Sequence, residues 1–240
     1  MAGFFYNLGK KIGPKLRKAN WVVRSLVGTE AESVKAEYAV GRDLAVAFLQ
    51  EMEADREPAL AEFLGDVGGR LVQAVKNRQW PFHFLTVRSV QINAFALPGG
   101  FIFLTRPLLE LCRYDRDEVA FVLGHEMAHV VHRHAIDRAM ANTVISATVG
   151  RYLPGGKFMR MPLGGIVSTL LSQGYSQDQE LDADRLGVRL AVAAGFDGWA
   201  AARLLERLQG SIAAMSALDG YFSSHPPMQV RIEQITRLLR

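Results

Sequence analysis

Two histidines four residues apart with an acid between them, in the run His125-Glu126-Met127-Ala128-His129, constrain this chain more than any other feature. In an α-helix, residues i and i+4 lie about 40° apart around the axis and roughly 6 Å along it, so both imidazoles face the same way. They can then share one Zn²⁺ at about 2.0–2.1 Å per nitrogen. Glu126 falls about 100° from His125, off the ligand line, where it can take a proton from an attacking water rather than bind the cation. The flanks ask for the same helix. Val119, Val122, Leu123, Met127 and Val130 recur at spacings of three and four, which predicts a helix over 117–134, and Asp115 with Glu118 has capping-box spacing.

A catalytic zinc site needs a third protein ligand and an open position for water. His132 lies roughly 10 Å along the axis from His125, too far to share an ion. His134 is nine residues on and is expected on the opposite side of that helix; His83 sits in the strand-like run 82–90 and reads as a core or surface histidine. The better candidate is Glu180 in Ser176-Gln-Asp-Gln-Glu-Leu-Asp-Ala-Asp184, the start of a helical pattern that runs to about Ala194 and stops at Gly195. Glu180 and Asp184 share a face. The first acid can bind the metal while the second accepts the N–H of a ligating histidine and fixes its tautomer. Alone, an acidic helix start reads as a surface turn that complements the helix dipole; next to the histidine helix it reads as a ligand set.

These segments together resemble the M48 family of zinc metallopeptidases, in the branch of its soluble Oma1-like and BepA-like members, with HtpX-like membrane proteases and CAAX-prenyl proteases as relatives. The resemblance rests on four segments in order: the stretch from Asn93 to Thr105, His125-Glu126-x-x-His129, Glu180-x-x-x-Asp184, and Ser224-His-Pro-Pro with Arg231 after it. It implies a zincin-like (gluzincin) metallopeptidase domain, one Zn²⁺ per chain at His125, His129 and Glu180, and Glu126 as general base. The chain departs from the family pattern at Gln177, where an arginine is common, and at Pro107, where glycine is common. The first departure removes an ion pair that would tether the start of the Glu180 helix.

Asn93, Ala94, Phe95, Ala96 and Leu97 lead into Pro98-Gly99-Gly100 and then Phe101 to Leu104, a pattern that predicts a hairpin. An exposed hairpin edge beside the zinc can bind an extended peptide by strand addition, so residues 93–97 are the expected substrate-binding segment. A hairpin that only supports the zinc helix accounts for the same pattern. The resemblance places His225 and Arg231 beside the reaction, where a positive or hydrogen-bonding group stabilises the oxyanion of hydrolysis. Arg231 is the expected oxyanion helper; His225 is either a catalytic aid or a plug filling the open zinc position.

Six basic residues and no acid stand in residues 1–29, against a total charge of +4, so the rest of the chain carries −2. Phe5, Leu8, Ile12, Leu16, Ala19, Val23 and Leu26 form an amphipathic stripe interrupted by Gly9, Gly13 and Pro14. Residues 1–28 therefore read as a basic arm that contacts an anionic membrane surface peripherally or packs along the catalytic domain. Nucleic acid is not an expected partner, because the basic residues are not interleaved with stacking aromatics beyond Trp21. Phe4-Phe5-Tyr6 is too short for a signal-peptide core, and the apolar runs 139–149 and 161–171 are each about half a bilayer span. The expected location is cytoplasmic, and 135–175 reads as a helical hairpin or lid. The lone Cys112 excludes an internal disulfide.

The whole predicts a mostly helical α+β domain over 29–240, with helices over 30–51 and 58–76, a small sheet within 82–104 beside the zinc helix, the Glu180 helix, and helix from 198 to the end. The expected activity is metalloendopeptidase hydrolysis of polypeptides, including misfolded or membrane-associated ones. The alternative is a catalytically silent, zinc-containing binding or chaperone-like module. Glu126 argues against it, since a structural zinc needs no base and closes with four protein ligands.

Overall fold

Thr29 accepts a hydrogen bond from the backbone N–H of Glu32 while the Glu32 carboxylate takes the Thr29 N–H at 2.9 Å, a reciprocal cap that starts helix α1, Glu30–Glu51. The computed structural model describes residues 29–76, 79–135, 137, 174–211 and 228–240. The basic arm, His225 and most of the expected lid lie outside these residues. Helix α2, Pro58–Ala74, opens with proline at its first turn, where a missing N–H costs nothing. Three strands follow: β1 His83–Val87, β2 Ala94–Leu97 and β3 Phe101–Thr105. Then come the short helix α3, Arg106–Leu111, helix α4, Arg116–Val131, helix α5, Gln177–Ala193, helix α6, Trp199–Ser211, and helix α7, Met228–Leu239.

The sheet order is β1-β3-β2, with β1 parallel to β3 and β2 antiparallel to it. Register pairs Ala94 with Leu104 and Leu97 with Phe101, the hairpin expected around Pro98-Gly99-Gly100. Gly99 takes φ 78°, and a Cβ there would come within 2.5 Å of the Tyr38 Cα on α1. Only glycine permits both that backbone and that approach.

Both faces of the sheet are covered, which is why β2 and β3 read as almost unbroken apolar runs. Strand alternation sends Phe95, Leu97, Phe101 and Phe103 to α1, where they pack with Val40, Leu44 and Phe48. Ala94, Ala96, Ile102 and Leu104 point the other way into the main core, with Leu64 and Leu71 of α2 and Leu123 and Met127 of α4. Each such fully buried side chain contributes about 1.5–3 kcal/mol. The result is three layers, α1 on the sheet on a helical body, as expected of an α+β domain.

Helix α4 starts at Asp115, whose carboxylate accepts from the N–H groups of Asp117 (2.8 Å) and Glu118 (3.2 Å). Glu118 does not reach back to complete the expected capping box. Its two oxygens instead take a fork from Arg207 of α6 at 2.6 and 2.7 Å, which fastens α6 to the head of α4. The helix ends at Val131, short of the predicted 134, because Arg133 adopts a left-handed φ of 59°.

Candidate metal centre

The site exists because α4 and α5 touch backbone to backbone. A Cβ on Gly124 would lie 2.8 Å from the carbonyl oxygen of Gly187, and one on Gly187 would lie 2.8 Å from the backbone nitrogen of His125. Two glycines at the crossing therefore set the separation of the helices that carry His125, His129, Glu180 and Asp184. Helix α5 reaches that crossing from a firm start: the Ser176 hydroxyl accepts from the Gln179 N–H, and the Gln179 side chain accepts from the Ser176 N–H. This reciprocal cap anchors the start of the helix at Gln177. At the far end Gly195, at φ 80°, stops the helix where expected.

His125 Nε2, His129 Nε2 and the Glu180 carboxylate converge. The separations are 3.1 Å between the two nitrogens, 3.5 Å from His125 to Glu180 Oε2 and 3.3 Å from His129 to Glu180 Oε1. Three ligands of a tetrahedral ion bound at 2.0–2.1 Å stand about 3.3–3.4 Å apart, so this triangle has the size of a zinc face. Among the described residues this trio is the one acid, histidine or cysteine cluster whose ligand atoms could hold a metal ion, and all three members are buried. Glu126 is buried on α4 beside them and is not part of the trio. His132 is exposed, and His83 stacks on Phe101 at 4.8 Å, so neither joins the cluster.

A second ring of contacts holds the trio. Asp184 Oδ1 lies 2.9 Å from His125 Nδ1, the carboxylate–histidine pairing that fixes which nitrogen faces a metal. Arg231, on α7, donates from Nε and Nη2 to the two Asp184 oxygens at 2.8 and 2.7 Å, and its Nη1 stands 3.2 Å from Glu180 Oε2. Expected at the oxyanion, Arg231 is 2 % exposed with its guanidinium engaged by two carboxylates behind the histidines. Burial raises the Asp184 carboxyl, but the Arg231 charge and hydrogen bonds more than offset it and hold the group below the usual carboxylate range. Burial and Arg231 both disfavour a charged His125, yet the Glu180 charge and the bond to Asp184 prevail and push it up to about 9. The pocket is built to favour positive charge.

Three features of the site are absent from the sequence reading. His134 is not on the far side of the helix. Because the chain leaves α4 at Val131 and turns at Arg133, His134 folds back, 5 % exposed, with its Nδ1 2.9 Å from His129 Nδ1. Tyr175, just before α5, stacks on the His129 ring at 3.8 Å and 15°. The Gly124–Gly187 crossing is the third. The only sequence signal for any of them was the placing of histidine, tyrosine and glycine near the motif.

β2 is an edge strand of the sheet, but all four of its residues are buried, unlike the exposed hairpin edge expected for Asn93 to Leu97. A small cavity of about 10 Å³, room for about one water, adjoins β2, lined by Ala96, Leu97, Gly99, Glu37, His129 and Arg133. Arg133 forms a salt bridge with buried Glu37, whose carboxyl burial pushes up and Arg133 draws partly back. The backbone of Asn93 is bound to Thr105 at 3.0 Å in both directions.

No helix among the described residues is long and apolar enough to cross a membrane. The family model for peptidase family M48 matches residues 58–239. Similar proteins include the beta-barrel assembly-enhancing protease of Yersinia pestis, 32% identical over 183 residues, which are 71% of this chain and 37% of that protein. The protein of the same name in Escherichia coli strain K12 is 31% identical over 189 residues, 73% of this chain and 38% of that one. The mitochondrial metalloendopeptidase OMA1 of Schizosaccharomyces pombe is 32% identical over 173 residues, 70% of this chain and 49% of that one. The chain thus spans less than half the length of these curated relatives.

Proposed function

Because the chain belongs to peptidase family M48, we propose that it is a zinc-dependent metalloendopeptidase acting on polypeptides, with misfolded or membrane-associated proteins as the substrate class. The observation that carries this reading is the buried triangle of His125, His129 and Glu180, with sides of 3.1–3.5 Å and one acid, Glu126, next to it in sequence. Those three residues would hold one Zn²⁺. When bound, the cation polarises the scissile carbonyl and makes water acidic enough to attack near neutral pH.

The chain's own residues supply the rest. Glu126 takes the proton of the attacking water and returns it to the nitrogen of the departing amine, the general acid–base role its position beside His125 allows. Asp184 keeps the His125 proton on Nδ1 and so leaves Nε2 free to bind. Arg231 offsets the negative charge of Asp184 and Glu180, a holding role that its buried hydrogen bonds favour over direct contact with an oxyanion. Within residues 93–97, the outer edge of β2 would align an extended substrate by main-chain pairing once that buried edge is uncovered.

The catalytically silent alternative draws no support from a three-ligand site with an acid alongside, since a structural zinc closes with four protein ligands. Purified chain should bind one zinc and cleave unfolded casein, and Glu126→Gln should keep the zinc while losing at least ~10²-fold in kcat. Wild-type protein that binds zinc and cleaves no unfolded chain, with His225→Ala equally inactive, would sink the reading.

We further assign His225 to this site by resemblance: His225→Ala lowers activity if the residue assists catalysis and raises it if the residue is a plug. Peripheral membrane contact through residues 1–28 is tested by liposome flotation with and without that arm. A mitochondrial relative competes with the cytoplasmic expectation, and fractionation of native cells decides between them.

A further inference from the structure

A histidine that binds a metal through Nε2 carries its proton on Nδ1 and must place it somewhere. For His125 the acceptor is Asp184. For His129 it is another imidazole: His134 Nδ1 stands 2.9 Å from His129 Nδ1, and both rings are buried. Two ring nitrogens at that distance share one proton, so one donates and the other accepts. If His129 ligates through Nε2, its Nδ1–H is the donor, and His134 accepts with the proton of its own ring on Nε2.

We propose that His134 is a positioning residue that holds His129 in its ligating tautomer and sets its ring orientation, an inference that rests on the zinc reading above. Three observations converge on it. The left-handed turn at Arg133, φ 59°, returns His134 to the helix end it has just left. The two rings meet edge to edge, their planes 67° apart and their centroids 5.0 Å apart, the approach a hydrogen bond between ring nitrogens needs. Tyr175 stacks on the face of His129 while His132 stacks on His134 at 5.3 Å, so both members of the pair are held in place. The two ligating histidines are then unequal. A carboxylate makes its histidine a stronger base than a neutral imidazole does, and His125 is the better donor of the pair.

The test uses the full chain as wild type, His134→Leu and His134→Gln. Zinc affinity is read by competition with a chromophoric chelator, and ring tautomers are read in the zinc-loaded wild type by long-range ¹H–¹⁵N correlation. Removing the acceptor with His134→Leu should weaken zinc ~10–100-fold, while His134→Gln, whose amide oxygen accepts the same bond, should stay within ~3-fold of wild type. In the wild type, His129 should carry its proton on Nδ1 and His134 on Nε2. A leucine variant that binds zinc like wild type, or leucine and glutamine variants weakened alike, would overturn the proposal. So would a zinc-loaded wild type with the His134 proton on Nδ1, a result that needs no variant to fold. Wild type that binds no zinc overturns the zinc reading and this inference with it; normal zinc binding with the wrong His134 tautomer overturns this inference alone.

Discussion

The two sides of the metal centre are built from different chemistry. On the His125 side the support is ionic: Asp184 accepts from the ring, Arg231 bonds both Asp184 oxygens and stands 3.2 Å from Glu180, and all of it is buried. On the His129 side the support beyond Glu180 is aromatic: Tyr175 lies on one face and His134 meets the Nδ1 edge. A buried ionic network is costly to break, because removing one member leaves another charged and unpaired. Stacked rings lose only their contact area and a modest orientation energy. The same ligand geometry is thus held rigidly on one side and adjustably on the other.

The largest effect should come from the ionic side. Asp184→Ala leaves Arg231 buried without its main partner and His125 without its acceptor, so stability should fall by about 3–5 kcal/mol. Zinc affinity should fall ~10–100-fold. Denaturant melts and chelator competition measure the two losses. An Asp184→Ala, Arg231→Met double variant that recovers much of the stability but none of the zinc affinity would separate the charge balance from the orientation of His125. If the single variant melts like wild type, the contrast between the two sides fails.

Removing the metal probes the comparison without mutation. A bound ligand at 100 times its dissociation constant stabilises by about 2.7 kcal/mol, so chelation should lower the melting temperature measurably. Hydrogen exchange should show the loss unevenly. Arg231 continues to hold Asp184 and Glu180 when the cation leaves, whereas His129 keeps Glu180 at 3.3 Å and two ring contacts, so exchange should rise most around 129–135 and at 175. A uniform rise along α4 and α5 would contradict the division.

Gly187→Ala drives a methyl into the backbone of His125 and should cost about 1–3 kcal/mol through overpacking. Because the crossing carries both histidines, zinc affinity should drop on both sides together. Co²⁺ substitution would report the distortion in its visible spectrum.

These contrasts follow how the sequence can be read. The ionic side was legible because it depends on spacing within regular helices: His125 to His129 and Glu180 to Asp184 are each one turn apart, and helical geometry does the rest. Helix α1 also runs over its expected 30–51, and Ser176 caps the Glu180 helix at its predicted start. The aromatic side depends on where a helix stops. Apolar periodicity continues through Val130 toward His134, and nothing in Arg133 announces a left-handed backbone, so extrapolating the helix placed His134 on the wrong face. The Glu118–Arg207 fork was hidden for a related reason: capping-box spacing names a local partner, while tertiary packing supplied a better one 89 residues away. The Gly124–Gly187 contact joins two segments 63 positions apart, and no periodicity within either one predicts it. Arg231 was picked out as functional by resemblance, but its direction toward Asp184 follows from how α7 packs on α5.

The smallest expected effect tests the adjustable side. Tyr175 covers the face of His129 at 3.8 Å and is itself 7 % exposed, so it contributes both stacking and burial. Tyr175→Phe keeps the ring and should leave zinc affinity and stability near wild type. Tyr175→Leu keeps most of the apolar burial but loses the parallel ring, which should cost about 0.5–1.5 kcal/mol. The zinc loss should be only a few-fold, because His134 still fixes the other edge. A double variant, Tyr175→Leu with His134→Leu, removes both supports, and its zinc affinity should fall by more than the product of the two single losses. That excess, read by chelator competition, measures how far face and edge hold the ring jointly. Strict additivity would mean that His129 is positioned by its own helix, and that the aromatic side is packing around a ligand already in place.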